Sequence, residues 1–240
     1  MRRRQKQMNK KMLSLPYLFW CAAFILIPLA MVFYYGFTDK TGAFTLENIL
    51  AIATPEHFKA LRISILLSLI ATVVCLLLAY PLAMILARME VNTHSFIVLI
   101  FILPMWMNFL LRTMAWQTLL EKNGVINSVL SFLHLPSLNL INTPGAIILG
   151  MVYNFLPFMV LPIYNSLTKI DQNVINAARD LGANSVHTFF KITLPLSLPG
   201  VISGITMVFV PALTTFVIST LLGGSKILLI GNVIEQEFTQ

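Results

Sequence analysis

Charge is scarce in this chain of 240 residues: 10% are Asp, Glu, Lys or Arg and 58% are hydrophobic, whereas soluble domains carry about a quarter charged residues. Mean hydropathy is +0.83, which excludes an ordinary water-soluble domain and predicts an integral membrane protein. Cysteine is nearly absent. Cys21 and Cys75 each lie inside an apolar run, so no disulfide framework is expected and both read as packing residues. The histidines, His57, His94, His134 and His187, are scattered without a His-Glu-x-x-His pair or a triad pattern, so catalysis by this chain has no basis. Within the long apolar runs no Asp, Glu or His lies at depth, which argues against an ion-coupled secondary transporter. Gly223-Gly224-Ser225-Lys226 lacks the Gly-x₄-Gly-Lys-Ser/Thr spacing that wraps phosphates and reads as a turn.

What the chain has in abundance is long apolar sequence. Stretches able to cross a hydrocarbon core of about 30 Å, which takes roughly 20 helical residues, are expected at Leu13–Phe37, Ile63–Ala87, Ser95–Leu111, Pro144–Leu167 and Leu194–Leu222. Lipid cannot solvate backbone N–H and C=O groups, and runs this long lack the alternation of barrel strands. The fold class predicted is therefore all-α, a polytopic transmembrane helical bundle of five spans. The sequence ends soon after Gly231–Phe238, an ending that leads us to expect a further helix absent from this chain, with a true five-span protein as the alternative.

Basic residues orient the bundle. Arg2, Arg3, Arg4, Lys6, Lys10 and Lys11 precede the first span, forming a basic arm over residues 1–12 that the positive-inside rule keeps in the cytoplasm. A cleaved signal peptide is the rival reading, but the apolar stretch is too long for its h-region. With the amino terminus inside, ten Lys/Arg fall in the cytoplasm and six outside, Arg112 among the latter. Such an arm beside a span is a topology signal rather than a nucleic-acid site. The transmembrane domain then covers residues 13–240, with a cytoplasmic loop at 168–193. An outer stripe of Val125, Ile126, Val129, Leu130 and Leu133 predicts a helix lying along the membrane or a packing element.

The cytoplasmic loop holds the most informative residues. Asp171 suits a helix cap, Val174, Ala177, Ala178 and Leu181 share one helical face, and Gly182 suits the left-handed position beyond the end. Ser185 is expected to cap a second helix leading through Val186, Phe189, Phe190 and Ile192 into the fifth span. A short helix with so little bulk on one face fits a shallow cleft on another protein.

Ala177-Ala178-x₃-Gly182-x₉-Ile192-x-Leu194-Pro195 resembles the Glu-Ala-Ala-x₃-Gly-x₉-Ile-x-Leu-Pro loop of permease subunits of ATP-binding-cassette importers, with Asn176 in place of the glutamate. From average residue usage the six matches arise by chance about once in ten million starting positions. Leu111–Trp116, Gly150–Pro162 and Leu221–Asn232 are similar to B-type permeases of spermidine/putrescine importers. That resemblance implies a six-helix core in a bacterial plasma membrane. It also implies a C-type permease as second subunit, two cytoplasmic ATPase subunits that hold ATP and Mg, and an external polyamine-binding protein. By the same likeness, Asn176, Ala177, Ala178, Arg179, Asp180, Leu181 and Gly182 form the ATPase-coupling segment, and the chain needs no cofactor of its own. Another small cationic or organic solute is the alternative cargo.

A polyamine is a flexible apolar rod bearing ammonium groups, for which aromatic faces and amide oxygens are suitable partners. Trp106, Asn108, Tyr153 and Asn154 near the outer ends of the third and fourth spans are the candidate pathway residues. Interface anchoring and helix-to-helix hydrogen bonding are the competing roles. Prolines 28, 81, 104, 157, 162, 199 and 211 are expected to bend spans, and Gly200 with Gly204 to permit close helix contact.

Overall fold

A computed structural model of the chain describes residues 14–39, 42–46, 48, 50, 54–89, 103, 105–224 and 226–239. It divides into two compact units, Met1–Phe58 and Lys59–Gln240. Among the described residues four helices are long and apolar enough to cross a membrane, so the helical class expected from composition is what forms.

In the first unit, helix α1 (Ser14–Gly36) leaves its most apolar stretch unburied within the chain, a surface suited to hydrocarbon rather than water. A π-helical turn at Ala22–Leu26 closes with the Ile27 N–H donating to the Ala22 carbonyl, and Pro28 follows. Proline lacks an N–H and its ring crowds the preceding turn, which widening relieves. Beyond the helix, Asn48 Nδ2 donates to the carbonyls of Tyr35 and Thr38, both at 3.1 Å. The rings of Phe37 and Phe44 stack with centroids 5.9 Å apart.

Helix α2 (Pro55–Arg88) begins with Glu56 and ends with Arg88, charges that suit the positive and negative ends of its dipole. Through the second unit it buries Ser64, Ser68, Ala71, Cys75, Ala79 and Ala83 completely. These small residues recur every three or four positions, so neighbouring backbones approach closely. The hydroxyls are satisfied within the helix: Ser68 Oγ donates to the Ser64 carbonyl and Thr72 Oγ1 to the Ser68 carbonyl, each at 2.7 Å.

After α2, helix α3 (Phe109–Leu120) and the short α4 (Val125–Phe132) precede α5 (Pro144–Leu167). Thr143 caps α5, its Oγ1 accepting from the Ala146 N–H at 3.2 Å, and Pro144 occupies the first turn where no donor is lost. Helix α6 (Gln172–Asp180) leads to the long α7 (Ser185–Thr214), then to α8 (Val217–Gly223) and α9 (Ile230–Thr239). The core lies where α2, α5, α7 and α8 meet, around Met151, Met159, Ile163, Val208, Ile218 and Leu222.

Gly200 and Gly204 pack against α5 of the same chain. A Cβ on Gly200 would lie 2.5 Å from the Pro162 carbonyl and from Ser166 Cβ, and one on Gly204 2.7 Å from Met159 Sδ.

Span boundaries agree at α1 and α5; α2 ends as expected but begins at Pro55, ahead of Ile63, so Lys59 and Arg62 lie within its first turns. Most of the expected third span, residues 95–102 and 104, lies outside the described residues; its described end differs, because Asn108 opens α3 as a new helix. The fifth span is corrected. Rather than running to Leu222, α7 stops at Thr214, Thr215 is extended (φ −67°, ψ 136°), and α8 starts afresh. Pro211 removes a backbone donor in the last turn. Gly231 of α9 packs against the Thr214 and Thr215 carbonyls, where any Cβ would collide.

Candidate coupling helix and transport pathway

The segment expected to couple to an ATPase forms a capped helix. Asp171 Oδ1 accepts from the Asn173 N–H at 2.9 Å. At the other end Gly182 adopts φ +85°, its N–H donates to the Arg179 carbonyl at 2.9 Å, and the Ala183 N–H reaches Ala178 at 3.0 Å. That left-handed turn satisfies the last carbonyls of α6. Asn176, Ala177, Arg179, Asp180, Leu181 and Gly182 are exposed, Leu181 to 89%, while Ile175 and Ala178 are half-buried. Ala177 and Leu181 thus present exposed apolar surface, while Val174 borders the cleft between α5 and α7. The next cap is corrected from Ser185 to Asn184, whose Oδ1 accepts from the His187 N–H at 2.8 Å.

A π-helical turn at Phe189–Thr193 sits inside the start of α7, closed by the Leu194 N–H on the Phe189 carbonyl and followed by Pro195. It repeats the arrangement before Pro28, for the same steric reason. Phe189 meets the Tyr80 ring edge-on, with centroids 5.6 Å apart at 90°. Tyr80 Oη lies 2.7 Å from Ser197 Oγ in a buried hydrogen bond. The joint after the coupling helix is therefore clamped to α2, a role for Tyr80 that no local pattern indicates.

The four pathway candidates are not gathered into one cavity among the described residues. Trp106 is 77% exposed. Asn108 accepts from the Leu110 N–H at 2.8 Å and serves as the cap of α3. Tyr153 meets Trp116 edge-on at 5.4 Å, and Asn154, 1% exposed, donates from Nδ2 to the Gly150 carbonyl at 2.9 Å. Its Oδ1 has no partner among the described residues, nor do Nε and Nη1 of Arg112, which is only 7% exposed. Arg112 is buried on the α3 face that carries Phe109 and Trp116.

A second polar knot holds the break between α7 and α8. Asn232 Oδ1 accepts from Ser219 Oγ and from the Leu229 N–H, while its Nδ2 donates to Thr220 Oγ1 at 2.8 Å and to the Phe216 carbonyl at 3.3 Å. The Ile230 N–H donates to Ser64 Oγ of α2 at 2.8 Å. One side chain thus satisfies backbone groups freed by the interruption, as apolar surroundings require.

A family described as binding-protein-dependent transport system inner membrane component matches residues 60–238. The chain belongs to this family. The permease is 37% identical to the spermidine/putrescine transport system permease protein PotB of Haemophilus influenzae, over 91% of this chain and 79% of that protein. Against PotB of Escherichia coli K12 the identity is 38%, over 91% of this chain and 82% of that protein. In fold it is similar to a bacterial ABC transporter involved in the import of the acidic polysaccharide alginate, with a TM-score of 0.76 at 17% identity, covering 97% of this chain and 84% of that one. It is thus a multi-pass inner-membrane permease of a binding-protein-dependent system.

Proposed function

We propose that this permease subunit serves an ATP-driven importer of polyamines, spermidine or putrescine, forming half of the translocation pathway and carrying no ATPase site of its own. The observation that carries the polyamine class is the likeness to the PotB proteins across 91% of the chain. Its complex comprises a second, C-type permease, two cytoplasmic ATPase subunits binding ATP and Mg, and an external polyamine-binding protein. The amino terminus and α6 face the cytoplasm, in accord with the basic arm.

In this reading Asn176–Gly182 is the contact to the ATPase. Closure of the ATPase pair moves α6, and the clamped joint at Phe189 and Tyr80 passes that displacement to α7 as rigid-body switching of a bistable assembly. Tyr153 and Asn154 are the favoured pathway contacts, with Trp106 as an outer aromatic face; Asn108 is the weaker candidate because its side-chain oxygen is committed to a cap.

The test is substrate-stimulated ATP hydrolysis by the complete transporter. Gly182→Pro or Ala178→Trp should leave membrane insertion intact and abolish stimulation; retained coupling refutes the assignment. Unchanged polyamine uptake in Tyr153→Ala with Asn154→Ala at normal protein level removes that pair from the pathway. A panel of solutes on the loaded binding protein decides the cargo.

A further inference from the structure

Between α5 and α7 runs a cleft of about 960 Å³, and its chemistry differs from that of the other helix contacts. It is lined on α5 by Phe158, Asn165 and Ser166 and on α7 by Leu196, Ser203 and Met207. Lining residues on α7 extend from Leu196 to Met207, eleven residues and so about 16 Å along the helix. Lys169 and Asp171 stand at the end nearest the coupling helix. Gly200, pressed onto Pro162 and Ser166, forms the floor where the two helices touch.

Hydroxyls in apolar helices ordinarily bond the carbonyl one turn back. Those of Ser197, Thr206 and Thr214 on α7 do so, at 3.0, 3.0 and 3.2 Å. Within the cleft the side chains of Ser166, Ser203 and Asn165 make no hydrogen bond among the described residues. They are acceptors held open on an otherwise apolar wall. Asp171 spends Oδ1 on the helix cap, leaving its carboxylate charge at the cleft's mouth without a basic partner among the described residues.

From this arrangement we infer that the α5–α7 cleft is the inner wall of the permeation route and takes an extended organic polycation, a reading that rests on the polyamine assignment above. Apolar walls receive the hydrocarbon spacers, and the open oxygens of Ser203, Ser166 and Asn165 receive ammonium groups in turn. Asn154 lies one helical turn outward of Phe158 on α5, so the wall continues the outer candidates toward the cytoplasm. At the exit Asp171 attracts and Lys169 repels the cargo. Their near cancellation avoids a trap, since conduction needs binding weak enough to leave.

The test is thiol accessibility in the complete transporter, reconstituted with its partner subunits after Cys21→Ser and Cys75→Ala. Ser203→Cys and, as a second variant, Asn165→Cys are treated with a cationic methanethiosulfonate; Ile202→Cys, next to Ser203 but outside the cleft lining, is the reference. Modification of both cleft variants should be severalfold faster than of Ile202→Cys and should slow severalfold when ATP and spermidine-loaded binding protein are supplied. Cleft thiols that never react are covered by a packed helix or by lipid, and the inference fails. Reaction that no cargo slows overturns it equally. Protection by a binding protein loaded with another solute, and none with spermidine or putrescine, keeps the cleft as the route and overturns the polyamine class instead.

Discussion

Tyr80 and Ser197, 117 positions apart, share a buried hydrogen bond of 2.7 Å, tying the last third of α2 to the first half of α7. Ser197 Oγ also lies 3.0 Å from the Leu194 carbonyl, so Tyr80→Phe leaves the serine with a local partner. We expect that variant to lower stability by about 1 kcal/mol, the usual net value of one such bond. Tyr80→Ala also removes the ring that meets Phe189, at a cost of about 3–5 kcal/mol. Thermal unfolding of the purified transporter measures both, and Tyr80→Ala should also reduce substrate-stimulated ATP hydrolysis.

Close packing of α5 on α7 depends on a missing side chain. Any Cβ at Gly200 lies 2.5 Å from the Pro162 carbonyl, a backbone atom that cannot swing aside. Gly200→Leu should therefore separate the helices and cost at least about 1–3 kcal/mol, as overpacking does. Gly145, whose Cβ would sit at an ordinary 3.7 Å from Thr143 Oγ1, is the control: Gly145→Ala should leave the yield of folded permease on size exclusion unchanged.

The sequence makes the spans legible because a hydrocarbon interior demands unbroken apolar runs, and it makes the coupling helix legible because Asp171 and Gly182 mark its two ends chemically. The break at Thr215 was hidden, since Val217–Leu222 continues the apolar composition and hydropathy carries no information on backbone direction. Asn184 and Ser185 are both good caps in adjacent positions, and only the geometry chooses between them. Gly200 and Gly204 announce a close contact without saying which helix provides it. Tyr80, Ser197, Asn232 and the burial of Arg112 depend on partners or surroundings remote in sequence, so no local pattern exposes them.

The knot at the α7–α8 break gives a third expectation. Asn232 is 6% exposed, and its loss strands the buried Leu229 N–H, whereas the hydroxyls of Ser219 and Thr220 keep the Phe216 carbonyl as partner. Asn232→Leu should destabilise the transporter by about 1–3 kcal/mol, the cost of the buried N–H left unsatisfied. Hydrogen exchange should rise first at Leu229, Ile230 and α8, while α2 and α5 stay protected.

Arg112 behaves oppositely. A buried guanidinium with two nitrogens unpartnered among the described residues bears a desolvation penalty of several kcal/mol. Arg112→Met keeps an apolar stem of similar reach and should raise the unfolding temperature of the permease purified alone. A fall would mean that the guanidinium has a carboxylate partner.

Gly182 separates backbone strain from packing more cleanly than any other position in the coupling segment. Its φ is +85°, yet a Cβ added there meets nothing within 4 Å. Substitution therefore acts through the left-handed conformation alone, which costs an ordinary L-residue about 1–2 kcal/mol and asparagine less. Gly182→Asn should retain most of the substrate-stimulated ATP hydrolysis. Gly182→Val, β-branched and ill-suited to positive φ, should unwind the end of α6 and lose stimulation while the basal ATPase rate and membrane insertion persist. Equal stimulation in the two variants would show that the turn after Leu181 does not set the coupling geometry.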